Sequence, residues 1–146
     1  MLLKNSKLVE KLKRVHNLEI IERTSDVKRL SKDFYNYSPI LEKRLNGCVA
    51  DLVVRPIDQN AVKKVAKICF EFSVPLTLRG SGTGNYGQAV PLFKGIVMQM
   101  NYLNKIEEFF PETGFVKVQC GCLMGDLNKE LEKYGRELRL LPSTWK

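Results

Sequence analysis

Four glycines fall within eight residues, at Gly80, Gly82, Gly84 and Gly87, and the segment that holds them joins two apolar runs, "VPLTLRG" (74–80) and "GIVMQM" (95–100). Glycine has no Cβ, so so dense a window leaves successive backbone N–H groups unobstructed and free to adopt positive φ. Such a chain builds either an anion-binding nest of amides or a flexible turn between strands. Four glycines exceed what an ordinary turn requires.

The stretch Gly82-Thr-Gly84-Asn-Tyr-Gly87 formally satisfies G-x-G-x-x-G. That dinucleotide fingerprint works because its third glycine opens a helix whose N-terminus receives a pyrophosphate. Here Gly87 leads into Gln88, Ala89, Val90 and Pro91 and then a strand, so the motif has no helix to open. A kinase glycine loop does lie between strands, but "GIVMQM" carries no V-A-I-K lysine, and neither H-R-D nor D-F-G occurs. No G-K-[ST] follows, which removes a P-loop. What survives is a strand-to-strand amide nest that can wrap a diphosphate without a helix.

The flanks give the loop a frame. Leu8, Val9, Leu12 and Val15 fall at helical spacing, which predicts an amphipathic helix over 6–16. "SDVKRLSKDFYNYSPILEKRL" predicts short helices and turns. "DLVVRP" predicts a strand stopped by Pro56, which has no N–H for a ladder. Asp58 stands at the N-cap position of a helix to about Phe72, with Val62, Val65, Ala66 and Cys69 on one face. "VPLTLRG" then completes a βαβ crossover with parallel strands. "GIVMQM", "KIEEFF" and "GFVKVQC" read as three successive strands of an antiparallel meander. A second helix carries Leu123, Leu127 and Leu131, with Gly135 as its left-handed C′ residue, and "RELRLLP" begins another strand. The fold class expected is α+β.

Composition excludes more than it selects. The 146-residue chain is 44% apolar and 27% charged, as soluble globular chains are, and no apolar run suffices to span a bilayer. "MLLKNSKLVEKLKRV" lacks a secretory signal, so a cytoplasmic location and free thiols are expected. The net charge of +8 suits anionic ligands, but Lys and Arg alternate with acids and no nucleic-acid motif occurs. Cys120-Gly121-Cys122 could offer two thiolates to a zinc ion, yet a closed site needs four ligands and no others are spaced for it. No metal site is assigned, and these cysteines are expected as buried filler at a strand end. With His16 as the single histidine, no catalytic triad is readable, and no catalytic residue is assigned.

The residues "VVRPIDQNAVKKVAKICFEFSVPLTLRGSGTGNYGQAVPLFKGIVMQMNYLNKI" and "VKVQCGCLMGDLNKELEKYGRELRLLPST" resemble the first half of the FAD-binding (PCMH-type) domain of the vanillyl-alcohol oxidase / para-cresol methylhydroxylase superfamily. The similarity is to its D-lactate dehydrogenase and glycolate oxidase large-subunit branch. It spans about residues 50–146, after a helical lead-in over 1–49. It implies a first α/β subdomain followed by the start of a second.

It also implies a site. The segment Arg79, Gly80, Ser81, Gly82, Thr83, Gly84, Asn85, Gly87 and Gln88 matches the loop whose amides hold the FAD pyrophosphate, and Pro142 and Ser143 match a segment along the same cofactor. Arg79 is expected at the mouth of the nest, adding charge-assisted hydrogen bonds to phosphate. Thr83 stands where relatives with covalent flavin carry a histidine, which implies non-covalent FAD. The function implied is FAD binding within an oxidoreductase that moves a hydride from a small 2-hydroxy acid to flavin. The family's second glycine-rich stretch and substrate cap do not follow Lys146, so an N-terminal fragment, inactive alone, is expected, with the remaining half supplied downstream or by another chain. The competing reading is a non-catalytic remnant or a basic anion-binding interaction module.

Overall fold

The computed structural model describes residues 6–145. Its elements are α1 (Ser6–Lys13), β1 (Leu18–Ile21), α2 (Thr24–Leu30), a 3-10 turn (Tyr35–Tyr37), α3 (Pro39–Leu45), β2 (Leu52–Pro56), α4 (Gln59–Glu71), β3 (Leu76–Arg79), β4 (Ile96–Gln99), β5 (Ile106–Phe110), β6 (Phe115–Val118) and α5 (Met124–Glu132). The plan is mixed α and β, as expected. Among the described residues no helix is long and apolar enough to cross a membrane.

A four-stranded sheet of order β1-β2-β4-β3 organises the first hundred residues. β2, β4 and β3 run parallel, and β1 adds antiparallel to the far side of β2. Alternation assigns each face. Leu52, Val54, Ile96 and Met98 meet Leu8 and Leu12 of α1, Val15 just after it, and Ala61, Val65, Ile68 and Cys69 of α4. Val53 and Val97 face the other way, against Val27 and Leu30 of α2 and Ala50. Strands covered on both faces read as unbroken apolar runs, which is why "LVV" and "IVM" show no polar alternation. Burial of each such side chain favours folding by about 1.5–3 kcal/mol. It also pushes the Cys69 thiol up to about 11.

Local signals behave as their chemistry dictates. Pro56 closes β2 opposite Leu18. The Asp58 carboxylate caps α4 by accepting from the Ala61 amide at 2.7 Å, and also accepts from Asn17 Nδ2 at 2.7 Å. Gly135 takes φ +65 after α5, and the Arg136 amide reaches back to the Leu131 carbonyl, as in a left-handed helix stop.

Four expectations change. β4 is not the first strand of a meander: it inserts between β2 and β3, parallel to both, and β5 and β6 alone form the antiparallel hairpin. An apolar run buried on both faces suits the centre of a parallel sheet better than the start of a half-exposed ribbon. β1, "LEII", belongs to the lead-in read as helical, and gains its strand identity from pairing with β2. "RELRLLP" forms no ladder among the described residues; the Leu138 amide is taken by Asn128 Oδ1 and Leu140 stays exposed. Cys120 is exposed on the turn after β6 rather than buried at a strand end, and Cys122 is half-buried.

Candidate functional site

Parallel strands present their carboxyl ends on one side, where ligands of open α/β sheets bind. The glycine segment leaves β3 at that edge. The last ladder bond there runs from the Met100 amide to the Arg79 carbonyl at 2.9 Å, and Pro91 ends the segment before the turn to β4.

Between these points the loop is held from outside itself. Phe34 donates its amide to the Gly84 carbonyl at 2.8 Å. The buried Asp33 carboxylate accepts from the Tyr35 amide (3.0 Å) and from the Ala89 amide (3.5 Å), bridging the lead-in and the loop exit. Gly87, at φ +83, packs so closely on α3 that a Cβ there would lie 2.6 Å from Leu45 Cδ1. Ser31 ties α2 to the start of β2, its hydroxyl donating to the Val27 carbonyl (2.7 Å) and accepting from the Ala50 amide (3.0 Å). Residues 31–45 are therefore the wall on which the glycine loop is shaped.

Within the loop, Gly82 and Gly87 take positive φ, whereas Gly80 and Gly84 do not. Gly84 needs its small size because Gln88 folds back beneath it, accepting from the Tyr86 amide at 3.0 Å. Among the described residues no acceptor takes the amides of Ser81, Gly82, Thr83, Gly84 or Asn85. Five successive donors at the carboxyl edge of a parallel sheet are a candidate surface for an anion. Ser81 and Asn85 are exposed, and Thr83 is half-buried.

Arg79 is not at the mouth. Its side chain is only 8% exposed and its guanidinium lies directly under Gly82, where it would overlap any Cβ. Nη1 donates to the Lys32 carbonyl at 2.6 Å. Burial pulls its pKa below the ordinary value, the Asp33 charge pulls it back up and Arg29 lowers it further; the guanidinium stays protonated at neutral pH. Among the described residues, two buried side-chain polar atoms have no partner: Arg79 Nε and Asn101 Oδ1. Arg79 ends β3 and Asn101 lies just after β4, at the same edge as the loop.

Pro142 and Ser143 lie on an exposed stretch near the end of the described chain, and no hydrogen bond joins them to the loop. Asp33, Phe34, Leu45 and Asn101 are site residues the sequence reading missed. Asp33 and Phe34 lie in a stretch read only as short helices and turns, and nothing in the sequence marked Leu45 or Asn101; the contacts of Asp33 and Phe34 with the loop are made across more than forty residues. Among the described residues no group of three or more His, Cys, Asp or Glu stands together to hold a metal ion.

The chain is 34% identical over 85 residues to D-lactate dehydrogenase of Anaerostipes hadrus, a match covering 58% of this chain and 18% of that protein. It is 37% identical over 89 residues to D-2-hydroxyglutarate dehydrogenase of Escherichia coli (58% and 8%) and 32% identical over 85 residues to glycolate oxidase subunit GlcD of Bacillus subtilis (58% and 18%). The chain thus spans less than a fifth of the length of these relatives. Its fold superposes on alkyldihydroxyacetonephosphate synthase with TM-score 0.77 at 18% identity, over 95% of this chain and 29% of that one. It also superposes on p-cresol methylhydroxylase with TM-score 0.72 at 18% identity, over 92% and 26%. Residues 50–146 match the FAD binding domain family, and the chain belongs to that family, whose oxidoreductase members include these D-lactate and D-2-hydroxyglutarate dehydrogenases.

Proposed function

We propose that this chain binds FAD non-covalently through the loop 79–88, as part of an oxidoreductase acting on a small 2-hydroxy acid. The observation that carries the reading is the run of unclaimed amides from Ser81 to Asn85, shaped by positive φ at Gly82 and Gly87. These donors fit a pyrophosphate: they are clustered, uncrowded by Cβ at two positions, and backed by a buried cation.

Each residue then has a task. The 81–85 amides bind phosphate oxygens, with the Asn85 side chain beside them. Gln88, Leu45 and Phe34 hold the loop in its curve. Pro142 and Ser143 line the cofactor further along. Thr83 offers no nucleophilic nitrogen for a flavin linkage. When bound, the flavin supplies hydride acceptance from the carbon that carries the hydroxyl. The substrate class is supported by the printed names of the relatives, since lactate, 2-hydroxyglutarate and glycolate are all 2-hydroxy acids.

The test is direct. Purified chain mixed with FAD should carry flavin absorbance through gel filtration and melt at a higher temperature, and acid precipitation should leave the flavin in the supernatant. Absence of both co-elution and thermal stabilisation overturns FAD binding; flavin retained in the pellet overturns the non-covalent part.

A further inference from the structure

We infer that Arg79 is a buried charge-positioning residue for an anion, acting through the glycine loop from beneath and left incompletely compensated until that anion is bound. The inference rests on the loop being the pyrophosphate site.

The geometry is specific. Arg79 is a cation with 8% of its surface exposed. A side chain so enclosed ordinarily has every N–H accepted and a carboxylate in contact. Here Nη1 has the Lys32 carbonyl, but Nε has no partner. Asp33 is the nearby carboxylate, and no ion pair within 4.0 Å joins the two among the described residues. Its two oxygens are engaged instead by the Tyr35 and Ala89 amides. Arg29 adds a second positive charge to the surroundings. The guanidinium thus lies against Gly82, one of the five successive residues whose amides have no acceptor among the described residues. A positive charge so close to Gly82 raises the potential at those amides. Position 82 takes glycine because its φ is +73, and the guanidinium stands where a Cβ would be.

A charge held for a ligand has a different signature from one held for structure. Replacing a buried, poorly paired cation by an apolar side chain of similar length is often neutral or stabilising to the fold. Arg79→Met should therefore melt at the same temperature as the wild-type chain, or higher, without ligand. It should lose the thermal gain given by inorganic pyrophosphate and bind FAD about tenfold more weakly or worse. Arg79→Lys, which keeps the charge, should retain part of both responses. Because the charge is enclosed, the difference between wild type and Arg79→Met should survive in moderate salt, where surface attraction is screened.

The outcomes separate the two claims. Wild-type chain stabilised by pyrophosphate but not by FAD, with Arg79→Met responding to neither, sustains the role of Arg79 and overturns the FAD reading. FAD bound equally by wild type and Arg79→Met overturns the role of Arg79 and leaves FAD binding standing. An Arg79→Met protein that melts well below wild type without ligand marks Arg79 as a structural tether and overturns the inference, as does a wild type that neither anion stabilises.

Discussion

Residues 6–100 and residues 105–145 are built on different terms. In the first region β2 and β4 are buried almost throughout, clamped between α1 and α4 on one face and α2 on the other. In the second, the β5–β6 hairpin leaves most of its side chains exposed or half-exposed, Phe115 at 71%, and leans on the turn after α5 through a tilted contact between the Phe109 and Tyr134 rings, 5.0 Å apart. Gly121 latches the two together, its amide donating to the Leu103 carbonyl at 2.7 Å in a space where a Cβ would overlap the Met100 carbonyl. The contrast teaches where the loop takes its rigidity. The 79–90 segment is mounted on the packed region, and precise ligand positioning needs a backbone that does not shift.

The sharpest way to break the contrast is to remove volume from each side. Leu52→Ala, at a fully buried position, should cost about 2–5 kcal/mol, whereas Phe115→Ala should stay within about 0.5 kcal/mol. Urea denaturation of both variants checks this, and equal losses would mean the hairpin is as much core as the sheet.

Two glycines at almost the same φ sharpen it further. Gly95 (φ +76) faces the Pro75 carbonyl, which a Cβ would overlap, while Gly114 (φ +73) has open space around it. Gly95→Ala should cost more than about 2 kcal/mol, since strain and steric overlap add. Gly114→Ala carries the φ strain alone, about 1 kcal/mol. Thermal melts should rank them in that order.

A smaller effect separates the regions by pH. Asp58 belongs to the packed region, and its pKa is lowered from 3.8 chiefly by the Asn17 hydrogen bond and then by the Ala61 amide. A depressed carboxylate stabilises the fold above its unfolded pKa and loses that contribution as pH falls through its folded value. Asp58→Ala should lower the melting temperature at neutral pH, and the gap from wild type should shrink as pH falls below 3.8 and through the lowered folded value. A constant gap would remove the carboxylate charge from the account.

Smallest of all, Glu107→Gln breaks the exposed pair with Lys117 on the hairpin and should barely move the melting temperature. A clear drop would show the hairpin depending on surface charge.

How much was legible follows from how far each interaction reaches along the chain. The N-cap Asp58, the stop at Pro56, the βαβ order and the left-handed Gly135 are set by neighbours within a few residues. They were readable for that reason. The glycine loop was legible in kind, since Gly87 leads through Gln88 to Pro91 into a strand and so leaves the motif no helix to open. Its orientation was not. Asp33 and Ala89 are 56 residues apart, and Arg79 and Lys32 are 47 apart. No local pattern says that a guanidinium will turn under the loop rather than out of it. "IVMQ" likewise reads the same at the centre of a parallel sheet and at the start of a meander, because both bury apolar side chains.

By itself the sequence determined a βαβ core and a glycine-rich amide loop between strands, because capping, φ freedom and apolar runs are short-range properties, while its likeness to known relatives carried membership of the FAD binding domain family. The insertion of β4 between β2 and β3, the wall of residues 31–45 and the burial of Arg79 beneath Gly82 were decided only in three dimensions. Each depends on which distant surfaces exclude water together, and that is a property of the packed whole.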